Sequence, residues 1–125
     1  MRFIPTRVHG ILDYLVGVLL IFAPRIFGFE NTGAASTVPV VLGIAALIYS
    51  LLTRYELGLI KVLPFKAHLA MDFASGVVLL VSPWAFGFSE TVWVPHVIVG
   101  LLEIGAATMT RTVPGDVAPH VPAMR

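Results

Sequence analysis

Two histidine–aspartate pairs recur in this sequence at one internal spacing, His9 with Asp13 and His68 with Asp72. Residues four apart on a helix share a face, with Cβ atoms about 6 Å apart, so each imidazole can meet a carboxylate one turn away. Three chemistries suit such a set. Each imidazole can donate a hydrogen bond to an aspartate, within its own pair or across to the other, and pin two helices together. The four side chains can instead hold a divalent cation, or relay protons where the two pairs meet. The hydrogen-bonded reading is preferred, because a four-residue His–Asp spacing arises often by chance and specifies no metal on its own. A haem between His9 and His68 fits less well, since Asp13 and Asp72 would set two negative charges beside its propionates. No cofactor is expected.

Glu103 is a separate candidate, near the middle of an apolar run. An acid in such a run is by default an ion- or proton-coupling group; the alternative is a structural glutamic acid bonded to Tyr49 or Ser50 of a neighbouring helix. His96, next to Pro95 at the start of the same run, reads as an interfacial residue, and His120 lies in the C-terminal tail.

The elements that must position these groups follow from composition. The chain has 125 residues, of which 58% are hydrophobic and 12% charged, a balance suited to lipid rather than to a soluble domain of this size. With zero cysteines it has no disulfide framework, thiol redox centre, iron–sulfur cluster or cysteine zinc site. A net charge of +1, without clustered Lys and Arg, excludes nucleic acid as a partner.

Four apolar runs, 8–23, 38–52, 67–81 and 92–109, each extend to about 17–20 residues, enough for a membrane helix. They lack the period-two alternation of a barrel strand, and a spanning segment must satisfy its own backbone hydrogen bonds, so an all-α bundle is expected. Lys and Arg fall seven to one on one side: Arg2, Arg7, Arg54, Lys61, Lys66, Arg111 and Arg125 against Arg25. The positive-inside rule then places both termini and the central loop in the cytoplasm, most simply at the cell (inner) membrane. Trp84 and Trp93 fall at the outer interface under the same orientation. The first run also has the shape of a signal peptide, with 33–36 (GAAS) as a loose cleavage site. Its close copy in mid-chain argues for a retained helix. A Pro-rich cytoplasmic tail over 112–125 reads as flexible.

A shift of 59 residues lays Pro5 on Pro64, His9 on His68, Asp13 on Asp72, Gly17 on Gly76 and Pro24 on Pro83, with ten identities in the 25 positions from Pro5 to Phe29. A shift of 57 relates the second and fourth runs more weakly, through Gly43 with Gly100 and Arg54 with Arg111. Residues 1–111 thus form two tandem two-helix repeats, about 5–54 and 64–111, related by a pseudo-twofold axis along the membrane normal. Ala70 with Ala74, Ala46 with Ser50, and Ala106 with Thr110 are small pairs four apart, expected at helix contacts.

Each repeat's first run ends in a related motif, Ala23-Pro24-Arg25 followed by Phe27-Gly28-Phe29, and Ser82-Pro83-Trp84 followed by Phe86-Gly87-Phe88. The chain here resembles the SPW repeat family, named for the Ser-Pro-Trp intact at 82–84, and the resemblance covers Pro5 to about Arg111. It implies a small integral membrane protein of two-helix repeats and no particular reaction. In the first copy Arg25 stands where the motif has tryptophan. The motif itself reads as hinge and anchor. Ser82 caps and Pro83 begins a short turn, Trp84, Phe86 and Phe88 lie among the headgroups, and Gly87 bends the chain; Pro24, Phe27, Gly28 and Phe29 repeat the arrangement, with Arg25 snorkelling.

No nucleophile–base–acid set or phosphate loop is present, which argues against an enzyme. A structural or partner-binding membrane subunit needs no special chemistry and is the preferred class. The alternatives are a proton- or cation-coupled transporter or channel subunit working through Asp13, Asp72 and Glu103, and a metal-binding membrane protein using the His–Asp pairs. Four spans enclose little volume, so a homodimer, or another membrane protein beside the lipid bilayer, is the expected partner.

Overall fold

The computed structural model describes residues 2–113, which form four helices and no strands: α1 (Thr6–Ile26), α2 (Ala34–Leu51), α3 (Phe65–Ala85) and α4 (Val94–Met109). The tail expected over 112–125 lies, beyond Val113, outside the described residues. Both repeats start alike. Pro5 and Pro64 are the residues before α1 and α3, with φ −64° and −60° fixed by the ring and extended ψ of 148° and 143°. Their carbonyls accept from the backbone N–H of His9 and His68, at 3.0 and 3.1 Å, the first bonds of each helix. The helices α1, α2 and α3, at 21, 18 and 21 residues, are long and apolar enough to cross a membrane. The fourth is shorter. Trp93 is non-helical (φ −147°, ψ −24°) and Pro95 sits in the first turn, so α4 has 16 residues, about 24 Å of rise.

The Ser-Pro-Trp segment is not a turn. Ser82, Pro83 and Trp84 form the last turn of α3, where Ser82 is buried and donates to the Leu79 carbonyl at 2.8 Å instead of capping. The stop comes two residues later. Gly87 takes φ +73°, and the N–H of Phe88 reaches back to the Pro83 carbonyl at 2.7 Å, the six-to-one bond of a Schellman motif. Gly28 (φ +75°) and Phe29, which donates to Pro24 at 2.8 Å, repeat this after α1. The motif does not hold all its aromatics at the surface either. Trp84, Phe86 and Phe27 are exposed, but Phe29 and Phe88 turn inward and pack with Ala23 and Ala35. Between them lies His96, fully buried rather than interfacial, its ring centroid 5.3 Å from Phe29 and 4.9 Å from Phe88, with Nε2 2.8 Å from the Ala35 carbonyl. Arg25 pairs with Glu30 at 3.1 Å on the surface.

Within each hairpin the helices touch at a glycine pair. A Cβ on Gly43 would stand 2.7 Å from the Gly17 carbonyl, and one on Gly100 would stand 2.8 Å from that of Gly76. The repeat offsets map one pair on the other, so the same close crossing is built twice. Ala70 and Ala74, expected at a contact, lie on the exposed face of α3.

At the opposite end from the Schellman turns, the repeats are sewn together by backbone. Ile4 pairs with Thr110 and Leu63 with Thr53, each as an isolated parallel bridge. The matching bonds are Ile4 N–H to Met109 at 2.9 Å and Leu63 N–H to Leu52 at 2.7 Å, then Arg111 N–H to Ile4 at 3.0 Å and Arg54 N–H to Leu63 at 2.8 Å. The chain entering α1 is thereby fixed to the end of α4, as the chain entering α3 is to the end of α2. This places a threonine at the end of one helix beside a histidine on the next.

Polarity is inverted relative to a soluble protein. Leu15, Phe22, Val41, Ile48, Ile98 and Leu101 are exposed, whereas His9, His68, Thr53, Thr110, Ser50 and Ser82 are among the most deeply buried side chains. An apolar exterior around a polar interior is the pattern of a helical membrane protein.

Candidate functional site

All four residues of the His–Asp pairs converge in one buried centre between α1 and α3, where His9 is 1% and His68 0% exposed. His9 Nε2 lies 2.7 Å from Asp72 Oδ2 and 3.1 Å from Asp13 Oδ1. His68 Nε2 lies 2.9 Å from Asp13 Oδ2 and 3.1 Å from Asp72 Oδ2. Each imidazole therefore stands closer to the aspartate of the other repeat than to its own. The two rings meet edge to face at 5.6 Å.

The far nitrogens are held symmetrically. His9 Nδ1 lies 2.7 Å from Thr110 Oγ1, and His68 Nδ1 2.7 Å from Thr53 Oγ1. Each threonine gives its single hydroxyl proton to the carbonyl one turn earlier, Ala106 or Tyr49, at 2.6 Å. Each hydroxyl oxygen must then accept from Nδ1–H, which puts a proton on both Nδ1 atoms and turns both Nε2 atoms toward the carboxylates. The contacts of the two Nε2 atoms differ. His9 donates from Nε2 to Asp72, which with its Nδ1–H makes the ring an imidazolium, whereas His68 Nε2, though 2.9 Å from Asp13 Oδ2, makes no hydrogen bond.

The aspartates are held from outside by phenols, and here the symmetry breaks. Tyr49 on α2 donates to Asp72 Oδ1, and Tyr55, from the segment joining α2 to α3, donates to Asp13 Oδ2 at 2.7 Å. Tyr55 is fully buried and stacks on Phe65 at 5.3 Å, covering the centre from the loop side. Burial, reinforced by the Asp13 carboxylate, pushes its phenol far above the usual tyrosine value. The same loop is tied down by Thr6 Oγ1 donating to Glu56 at 2.8 Å and by Tyr14 donating to the Leu57 carbonyl at 2.7 Å.

Glu103 does not bond Tyr49, whose hydroxyl is engaged by Asp72. It lines, with His9, Asp13, Asp72, Ala46 and Leu102, a cavity of about 30 Å³ beside the centre. That volume admits a water or an ion, not a porphyrin. Glu103 thus joins the His–Asp set instead of forming a site of its own.

Sequence reasoning named the four His and Asp residues but missed Thr53 and Tyr55, and read Thr110 only as a small residue at a helix contact. The offset of 57 that pairs Arg54 with Arg111 also pairs Thr53 with Thr110, a signal available from the letters. Tyr55 has no such signal, since a tyrosine in a polar loop shows nothing of its burial.

Residues 7–110 match the family model described as SPW repeat domain, and the chain belongs to that family. No curated protein and no solved structure matches it.

Proposed function

We propose that this SPW repeat protein is a non-enzymatic structural or partner-binding subunit of a membrane, in which the buried His–Asp centre fastens the two repeats to each other. The observation that carries the reading is the crossed pairing, His9 with Asp72 and His68 with Asp13, at 2.7 and 2.9 Å. Every polar group of the centre faces another, so the bundle can bury them beside lipid without a substrate. The lysine and arginine distribution supports a cytoplasmic location for both termini and for the loop carrying Tyr55, most simply at the cell (inner) membrane. The partner class that fits is a second copy or another membrane protein, met through the apolar helix faces.

Thermal unfolding of the full chain in detergent tests this role. Asp13→Asn and Asp72→Asn should both lower the midpoint, and midpoints equal to wild type would remove the fastening role.

One observation favours a second reading, a proton- or cation-coupled transporter or channel subunit. Glu103 shares a cavity with Asp13 and Asp72, a cluster of acids of the kind that carries ions through membrane proteins. Flux across proteoliposomes separates the two readings.

A further inference from the structure

We infer that His9, Asp13, His68 and Asp72 form a closed binding site for one divalent transition-metal ion of the zinc type, shared between the two repeats. The inference deepens the fastening role proposed above and rests on it.

Two independent observations lead to the ion. The first is convergence: one ligand atom from each of the four residues falls within a sphere where all lie within 4.8 Å of one another. The second is His68 Nε2, a fully buried nitrogen aimed into the cluster with no hydrogen bond. With both Nδ1 protons given to Thr110 and Thr53, each Nε2 can hold a carboxylate only by carrying a second proton, and one divalent cation can take the place of those two protons. The exchange leaves the net charge of the centre unchanged. One divalent cation with two carboxylates and two neutral imidazoles sums to zero charge, which suits a site enclosed by apolar helices.

Dimensions and donor types select the ion. Zinc bonds of about 2.0–2.2 Å would set tetrahedral ligand atoms roughly 3.3–3.6 Å apart. The four Nε2–oxygen contacts run from 2.7 to 3.1 Å, so small outward shifts of the side chains admit the ion. Two imidazoles disfavour calcium and magnesium, which prefer oxygen, and the absence of thiolates disfavours copper(I). The supporting shell suits metal histidines: each ring's other N–H is engaged by a threonine, and the aspartates accept from phenols, Asp72 at its outer Oδ1 from Tyr49 and Asp13 at Oδ2 from Tyr55. Four protein ligands leave no open position, which makes the ion structural.

The test uses the full, tag-free chain in detergent micelles, stripped with a chelator and titrated with Zn²⁺ or Co²⁺. The expected result is one ion per chain, with the intense visible absorption of tetrahedral Co²⁺ lost on adding Zn²⁺. His68→Gln should abolish it and His120→Gln should not. The double variant Thr53→Val, Thr110→Val keeps every ligand and should weaken binding roughly 10–100-fold. No stoichiometric ion, a weak six-coordinate Co²⁺ spectrum, or binding that survives both His9→Gln and His68→Gln would overturn the inference. Fastening is read separately, from the stability of chelator-stripped protein, so the metal can fail while the fastening role stands.

Discussion

His9 Nε2 is closer to Asp72 Oδ2, at 2.7 Å, than to Asp13 Oδ1 of its own helix turn, at 3.1 Å. The four-residue spacing that makes His9 and Asp13 neighbours on α1 therefore serves a second purpose: it offers both groups to the facing pair on α3. A His–Asp pair bonded only to itself would stabilise one helix. Crossed pairs make each repeat incomplete without the other.

Removing one acceptor should loosen the bundle without unfolding it. Hydrogen bonds between membrane helices average about 0.6 kcal/mol and reach about 1.7. Asp72 accepts from His9 and from Tyr49, so Asp72→Asn should cost about 1–2 kcal/mol, read as unfolding by denaturing detergent. A cost within error of zero would show that these contacts carry no stability.

The phenol of Tyr55 should resist ionisation. Its folded value is raised by burial and by Asp13, so the folded state keeps its proton where the unfolded chain, near pH 10, loses it. Tyr55 then contributes stability that is full below about pH 10 and declines as pH rises above that value. Ultraviolet titrations of wild type and Tyr55→Phe should coincide up to about pH 11. An extra phenolate in wild type below that point would contradict the burial of Tyr55 against Asp13.

The glycine crossings should tolerate no side chain. A methyl on Gly43 or Gly100 meets backbone carbonyl oxygen at 2.7 or 2.8 Å, and backbone cannot yield as a flexible side chain can. Gly43→Ala and Gly100→Ala should each cost about 1–3 kcal/mol in the same unfolding assay. Variants as stable as wild type would mean that the helices cross farther apart.

Much of this architecture was legible because it rests on patterns that repeat. Continuous apolar runs have few other readings, and duplication of Pro5, His9, Asp13 and Gly17 at one offset fixed the two-repeat plan. What escaped depends on direction rather than identity. Phe27 and Phe29 are the same residue two positions apart, yet one is exposed and the other packs on His96, because the positive φ of Gly28 turns the chain between them. Pro83 is compatible with either a turn or a last helical turn, and only the Phe88 bond to its carbonyl shows which. The length of α4 was set by Trp93 and Pro95, not by where apolar residues begin.

Glu103 separates the two functional readings. A structural subunit predicts that proteoliposomes containing the chain pass no more protons after a pH jump than empty vesicles, with or without Glu103→Gln. Flux present in wild type and lost in Glu103→Gln would replace the structural reading with transport.

The crossed pairing is tested most directly by a double-mutant cycle on His9→Gln and Asp72→Asn, measured as unfolding free energy in chelator-stripped protein. The account predicts that the two losses are not additive, with a coupling of about 1 kcal/mol between residues of different repeats. Additive losses would mean that His9 and Asp72 stabilise the bundle independently, and would contradict the claim that the centre fastens one repeat to the other.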